Sequence, residues 1–138
     1  GNTMAYVFAP GLALHMYPDE LLKQGAEFTG PVEDAVTAQH YFVCLSVDAR
    51  AGLWVPLFQG SGHDKKMISE SAKSGNSRWT RGPSYYDVTQ IWRIPHKASQ
   101  RGAAAAMDAS LPKTPNTVAL AALPDRALFP ADSEFRNR

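Results

Sequence analysis

The run His40-Tyr41-Phe42-Val43-Cys44-Leu45-Ser46-Val47 constrains this chain more than any other segment. It is dense in aromatic and β-branched residues, which fit a pleated strand. A strand with one wet face alternates apolar and polar residues. This one is almost continuously apolar, so both of its faces have to be covered. The next apolar run, Leu53-Trp54-Val55-Pro56-Leu57-Phe58, follows after the five residues from Asp48 to Gly52. That link predicts a hairpin, with Gly52 supplying any positive φ. Pro56 has no N–H for a ladder, which predicts an edge position or a bulge there.

Weaker signals surround this hairpin. The apolar segment from Ala5 to Leu14 is cut by Pro10 and Gly11 and reads as a short strand with a turn. Pro18 to Gly25 reads as a helical turn or two, with proline at the start, acids in the first turn and glycine as the stop. Glu27-Phe28-Thr29 leads into the turn signal Gly30-Pro31. Lys65 to Lys73 is expected as a short surface helix capped by Asp64, and Gly75 to Pro83 as polar loop. Tyr85 to Ile94 is expected as a third strong strand, and Ala103 to Met107 as a helical turn. Residues 117–123 suit a strand and a short helix equally. Beyond Pro130 the chain is polar and is expected to fray.

These elements predict a mainly β fold, a small SH3-like barrel or strongly bent antiparallel sheet with one or two short helices. The expected core is Phe42, Val43, Leu45, Trp54, Val55, Leu57, Ile91 and Trp92. The expected domain spans 4–130. Residues 1–3, ahead of Met4, read as a tag remnant, and 131–138 as a flexible C-terminal tail. With 138 residues and 44% hydrophobic content, the chain has enough apolar material for one core. No run approaches the roughly 18 apolar residues of a membrane span. There is no secretory leader pattern, and the lone Cys44 has no internal disulfide partner, so the expected setting is cytoplasmic, with no membrane contact.

Charge is unevenly distributed along the chain. Residues 1–62 hold two bases and six acids, a net of −4, whereas residues 63–101 hold eight bases and three acids, a net of +5. Trp79, Tyr85, Tyr86 and Trp92 fall in the same basic third. Cations hold phosphates and aromatic rings stack on unpaired bases, so this combination points to an anionic ligand such as single-stranded nucleic acid. The candidate ligand-binding residues are Lys65, Lys66, Arg78, Trp79, Arg81, Tyr85, Tyr86 and Arg93. An ordinary solvated loop braced by cation–π pairs explains the same residues. Gly60-Ser61-Gly62-His63-Asp64-Lys65-Lys66 could cradle a phosphate at the start of the expected helix, although its spacing is not that of a P-loop.

Catalytic signals are sparse. His15, His40, His63 and His96 lack the spacing of a helical metal site, and one cysteine cannot build a zinc cluster, so no metal and no cofactor is expected. Cys44 reads as a small core hydrophobe. The weak catalytic candidates are Ser61, His40 and His63.

The succession Glu27-Phe28-Thr29-Gly30, Gln39 to Ser46, and Leu53 to Leu57 ending in Gly60-Ser61-Gly62 resembles the first strands of PemK/MazF-type toxins. The likeness covers residues 27–62, about a quarter of the chain. It implies an SH3-like dimeric endoribonuclease with Ser61 as its hydroxyl residue. Those toxins carry an Arg-Pro pair before the second strand, where this chain has Gln39 and His40, so the resemblance shifts the cationic role to His40 or Arg81. Three functions follow: a binding protein for an anionic ligand on residues 63–101, a toxin-like endoribonuclease, and a structural or oligomerisation module, with a homodimer as the partner state.

Overall fold

The computed structural model describes residues 6–109 and 114–138. Its centre is a five-stranded antiparallel sheet in the order β1-β3-β4-β8-β2. These strands are β1 (Ala13–Met16), β2 (Glu27–Phe28), β3 (His40–Val47), β4 (Ala51–Pro56) and β8 (Trp92–Pro95). Two small pairs complete the strands: β5 (Lys66–Ile68) with β7 (Ser84–Tyr86), and β6 (Lys73–Ser74) with β9 (Thr117–Val118). The helices are short: α1 (Pro18–Lys23), α2 (Ser77–Thr80) and α3 (His96–Ala105). The fold is therefore mainly sheet, and no closed barrel is found among the described residues. None of the described helices is long and apolar enough to cross a membrane.

Strand β3 occupies the expected residues and is covered on both faces. Phe42 and Cys44 point to one side, into a core with Leu14, Met16, Trp54, Trp92 and Leu21. Val43 points to the other, into a core with Val55, Ile68, Trp79 and Ile91. Of the eight expected core residues, only Leu45 is half-buried instead of buried.

The hairpin is built differently from the expectation. Asp48 makes the turn, its Oδ1 accepting from the backbone N–H groups of Arg50 and Ala51, both at 2.8 Å. Gly52 is not in the left-handed region. It is required for space, because an added Cβ would stand 2.7 Å from Trp54 Nε1 and 3.3 Å from Ser46 O. Strand β4 is central, not an edge. Leu57 N–H donates to Tyr41 O, so Pro56 turns its nitrogen away from β3, toward the side where β8 stops pairing at Trp54. A bulge does occur, but in β3, between Cys44 and Ser46.

Three further expectations are corrected. Lys65 to Lys73 is strand β5, a 3₁₀ turn (Glu70–Ala72) and the start of β6, because Ile68 and Lys73 are each drawn into the core beside Trp79. The expected strand from Tyr85 to Ile94 breaks in the middle. Asp87 Oδ1 accepts from Thr89 N–H and Oγ1–H, and Gln90 is buried, bonded to Val36 N–H, Asp34 O and Trp92 Nε1–H. The tail from 131 onward is docked. Arg136 exchanges two backbone hydrogen bonds with Phe28, and Asn137 Nδ2 donates to Ala26 O and Leu22 O. It caps the outer edge of β2, which would otherwise expose unpaired backbone.

Helix α3 is longer than its sequence signal and packs on α1 through a stripe of small residues. A Cβ at Gly102 would meet Leu21 Cδ2 at 2.5 Å. Segment 117–123 contains both alternatives, strand β9 and then a 3₁₀ turn (Leu120–Ala122).

Replacing Gly52 by Ala drives a methyl into the rigid Trp54 indole, and overpacking of this kind costs about 1–3 kcal/mol. The urea midpoint of Gly52→Ala should fall accordingly. An unchanged midpoint would show that the strand relaxes freely around the indole.

Candidate functional site

A cleft of about 510 Å³ opens where β1 and β3 meet the segment after β4. His15 reaches it from β1, and His40 and Tyr41 from the start of β3. Leu57, Phe58 and Lys65 come from the connection to β5, and Arg78 from α2. No carboxylate among the described residues lines it. Among the described residues, neither Lys65 nor Arg78 has a carboxylate within ion-pair distance. Lys65 and Arg78 therefore bring two cations to the cleft without an ion-paired carboxylate, which attracts anions, while the Asp108 carboxylate acts on His15 and Tyr41 from behind β1.

Each imidazole is held by its surroundings. His40 Nδ1 lies 2.7 Å from Ala38 O. A carbonyl can only accept, so Nδ1 carries the hydrogen and donates it. The ring also stands edge-on to Phe58, with centroids 5.2 Å apart, and the Lys65 ammonium sits 4.2 Å above that same Phe58 ring. His15 lies opposite Tyr41 in the β1–β3 ladder, and their rings are 4.7 Å apart. Its backbone N–H donates to Asp108 Oδ1 at 2.8 Å, and Asp108 Oδ2 accepts from Tyr6 O–H.

An aromatic column runs inward from this cleft. Tyr41 contacts Trp79 at 4.9 Å, and the Lys73 ammonium lies 4.1 Å over the Trp79 ring while donating to Trp79 O. The column ties the cleft floor to the core. Asn76 caps α2 by accepting from Trp79 N–H, and Trp79 Nε1–H donates to Thr117 O. These bonds fix α2, and with it the base of Arg78.

Burial and nearby charges shift three groups in and behind the cleft. His15 is pushed below its ordinary 6.5, first by burial and then by Arg78 and, more weakly, His40. The backbone bond to Ala106 and the Asp108 carboxylate oppose the shift. Tyr41 is raised by burial, with Arg78 opposing and Asp108 adding to it. Lys73 is lowered by burial, with Glu70 opposing.

The cleft gathers three residues singled out from the sequence: His40, Lys65 and Arg78. The others lie elsewhere. Trp79 is 1% exposed and Tyr86 is buried, its ring stacked on Phe129. Both are core residues with no free face for a base or a subunit. Tyr85 is half-buried on β7, and Lys66 and Arg81 are exposed outside the cleft. Arg93 is paired with Glu27 at 2.7 Å across the β2–β8 ladder. Ser61 and His63 sit on the exposed loop beside the cleft and do not line it. Strand β5 follows that loop, so no helix N-terminus assists a phosphate there. Cys44 is buried, and burial pushes its thiol up to about 12, which leaves it inert. His96 is tied to Asp48 O and stacked on Phe8. Among the described residues no group of three or more His, Cys, Asp or Glu could hold a metal ion.

His15 and Tyr41 were not visible as site residues from the sequence. The one signal was the isolated polar residue at position 15, within the apolar stretch Leu12 to Met16.

No family model matches the chain, and neither a curated protein nor a solved structure matches it. The likeness to PemK/MazF-type toxins therefore rests on the quoted residues alone.

Two outcomes test this geometry. Trp79→Ala removes a buried indole at the centre of the column and should destabilise the fold by about 3–5 kcal/mol, whereas Arg81→Ala should change it by under about 0.5 kcal/mol. Equal denaturant midpoints would remove Trp79 from the core. The second concerns pH. A histidine held below its unfolded value binds its proton more readily when unfolded, so its contribution is present above about 6.5 and is lost as pH falls below it. The stability of the native chain should therefore drop more steeply between pH 7 and pH 5 than that of His15→Gln, read as urea midpoints across the range. Parallel profiles would contradict the burial of His15.

Proposed function

We propose that the chain binds a phosphate-bearing ligand, single-stranded nucleic acid, in the cleft between β1, β3 and α2. The observation that carries this reading is the wall of His15, His40, Lys65 and Arg78 with no carboxylate among the lining residues. Arg78 offers a planar fork for two phosphate oxygens, and Lys65 a point charge. Tyr41 and Phe58 offer apolar ring surface for a base between the phosphate contacts. The binding surface in the cleft thus takes only Lys65 and Arg78 from the basic third and joins them to His15, His40 and Tyr41 of the preceding acidic half, instead of spreading from 63 to 101. We also infer that the sheet curves toward a small SH3-like barrel or a strongly bent antiparallel sheet. The support is the bulge in β3 and the small strand pairs flanking the main sheet.

The test is a fluorescence-anisotropy titration of a labelled single-stranded 2′-O-methyl oligonucleotide at several salt concentrations. Each phosphate neutralised on a single strand contributes a slope of about −0.7 in log affinity against log salt. Arg78→Ala and Lys65→Ala should each weaken binding and flatten that slope by up to about one unit, while Arg93→Ala should leave both unchanged. No binding below about 0.1 mM at low salt, or an effect of Arg93→Ala equal to that of Arg78→Ala, would overturn the reading.

A further inference from the structure

The segment after β4 joins the cleft to the small β5–β7 ribbon, and the junction lines up one row of side chains. Phe58 exchanges two backbone hydrogen bonds with Tyr85, and Tyr85 lies directly opposite Met67 in the β5–β7 ladder. Residues directly opposite in an antiparallel ladder share a face, so Phe58, Tyr85 and Met67 stand side by side on one surface. Their neighbours Ile68, Ser84 and Tyr86 turn inward and are buried. The row begins in the cleft, where the His40 ring meets Phe58 edge-on at 5.2 Å. It ends in solvent, with Tyr85 half-buried and Met67 58% exposed. Neighbouring strands lie about 4.8 Å apart, so Met67 stands roughly 10 Å beyond Phe58. The row therefore carries the wall of the cleft outward by two strands.

Two features say what this row meets. A phenol ring beside a flexible thioether is a platform on which a flat base stacks whatever its sequence. The charge around it also suits a strand. Lys65, whose ammonium lies 4.2 Å over Phe58, stands at the boundary between the cleft and the row. Neither β5 nor β7 carries an acid. Of the carboxylates near them in sequence, Asp87 accepts from Thr89, Glu70 accepts from Gly82 N–H, and Asp64 lies on the exposed loop before Lys65. We infer that the single strand proposed for the cleft leaves it along this row, its next base stacked on Tyr85 against Met67 and the linking phosphate held by Lys65. The inference rests on the binding reading above and narrows its ligand to an oligonucleotide of at least two bases, as opposed to a lone nucleotide.

The experiment uses the full chain and a labelled 2′-O-methyl octamer, displaced by unlabelled strands of one, two and four nucleotides and read by anisotropy. Extending the strand beyond the single nucleotide should raise affinity by about 5- to 100-fold, the range for one stacked base. Tyr85→Ala should remove most of that gain, leave the mononucleotide within about twofold, and leave the salt slope of the four-mer unchanged, because no charge is lost. Tyr85→Phe should keep the gain. An abasic site scanned along the four-mer should at one position cost as much as Tyr85→Ala, and should cost nothing further in that variant. Should Tyr85→Ala fail to fold, Met67→Glu, at an exposed position, is read the same way and should lower the four-mer more than the mononucleotide. A gain that survives both substitutions, or an equal loss for strands of every length, would overturn the inference, while binding that still depends on Arg78 would leave the cleft reading standing. A dimer in sedimentation velocity that Tyr85→Ala dissolves would assign the row to a second copy of the chain and also overturn it. Absence of binding by the octamer itself would overturn the binding reading.

Discussion

Burial of β3 on both faces is the constraint from which the rest of the structure follows. A central strand with Phe42 and Cys44 on one side and Val43 on the other needs two separate covers. Helices α1 and α3 supply the first and can lie close because Gly102 lets Leu21 approach. The second is assembled from short pieces, β5, β7, β9 and α2, none of which could fold alone. Trp79 welds these pieces to the sheet through its contact with Tyr41 and its bonds to Asn76 and Thr117. The cleft forms beside the start of β3, at the margin of this second cover.

The same packing explains why polar groups tolerate such a small interior. Lys73 is desolvated, yet it sits over an indole face and donates to a carbonyl, which offsets part of the cost of burying its charge. Gln90 satisfies three partners from one buried amide and so pins segment 34–36 to the end of β7's connection. Asp108 joins Tyr6 and the backbone of His15, fixing the edge strand beside the cleft. Such hydrogen-bonded networks add rigidity around His15.

The sheet was legible because its signals are local. The apolar density of 40–47, the link at 48–52 and the aromatic run after it each follow from residue type. What was not legible depended on distance in sequence. Nothing near Lys73 announces that its ammonium will lie over Trp79, so 65–73 looked helical. Nothing near Arg136 announces that Phe28 will bridge to it, so the tail looked free. Charge density singled out Lys65 and Arg78, which line the cleft. It also overvalued Trp79 and Tyr86, because composition cannot tell an exposed ring from a buried one. His15 escaped because its partner Tyr41 lies across a ladder, 26 positions away in the chain.

The most direct measurement is a map of backbone and histidine NMR shifts while a short single-stranded 2′-O-methyl oligonucleotide is added. The largest changes are expected at His15, His40, Tyr41, Lys65 and Arg78, with the imidazole nitrogens of both histidines responding together. Changes concentrated on Arg81 and Tyr85, or at the Arg93–Glu27 pair, with His15 and His40 silent, would contradict the assignment of the cleft as the binding site.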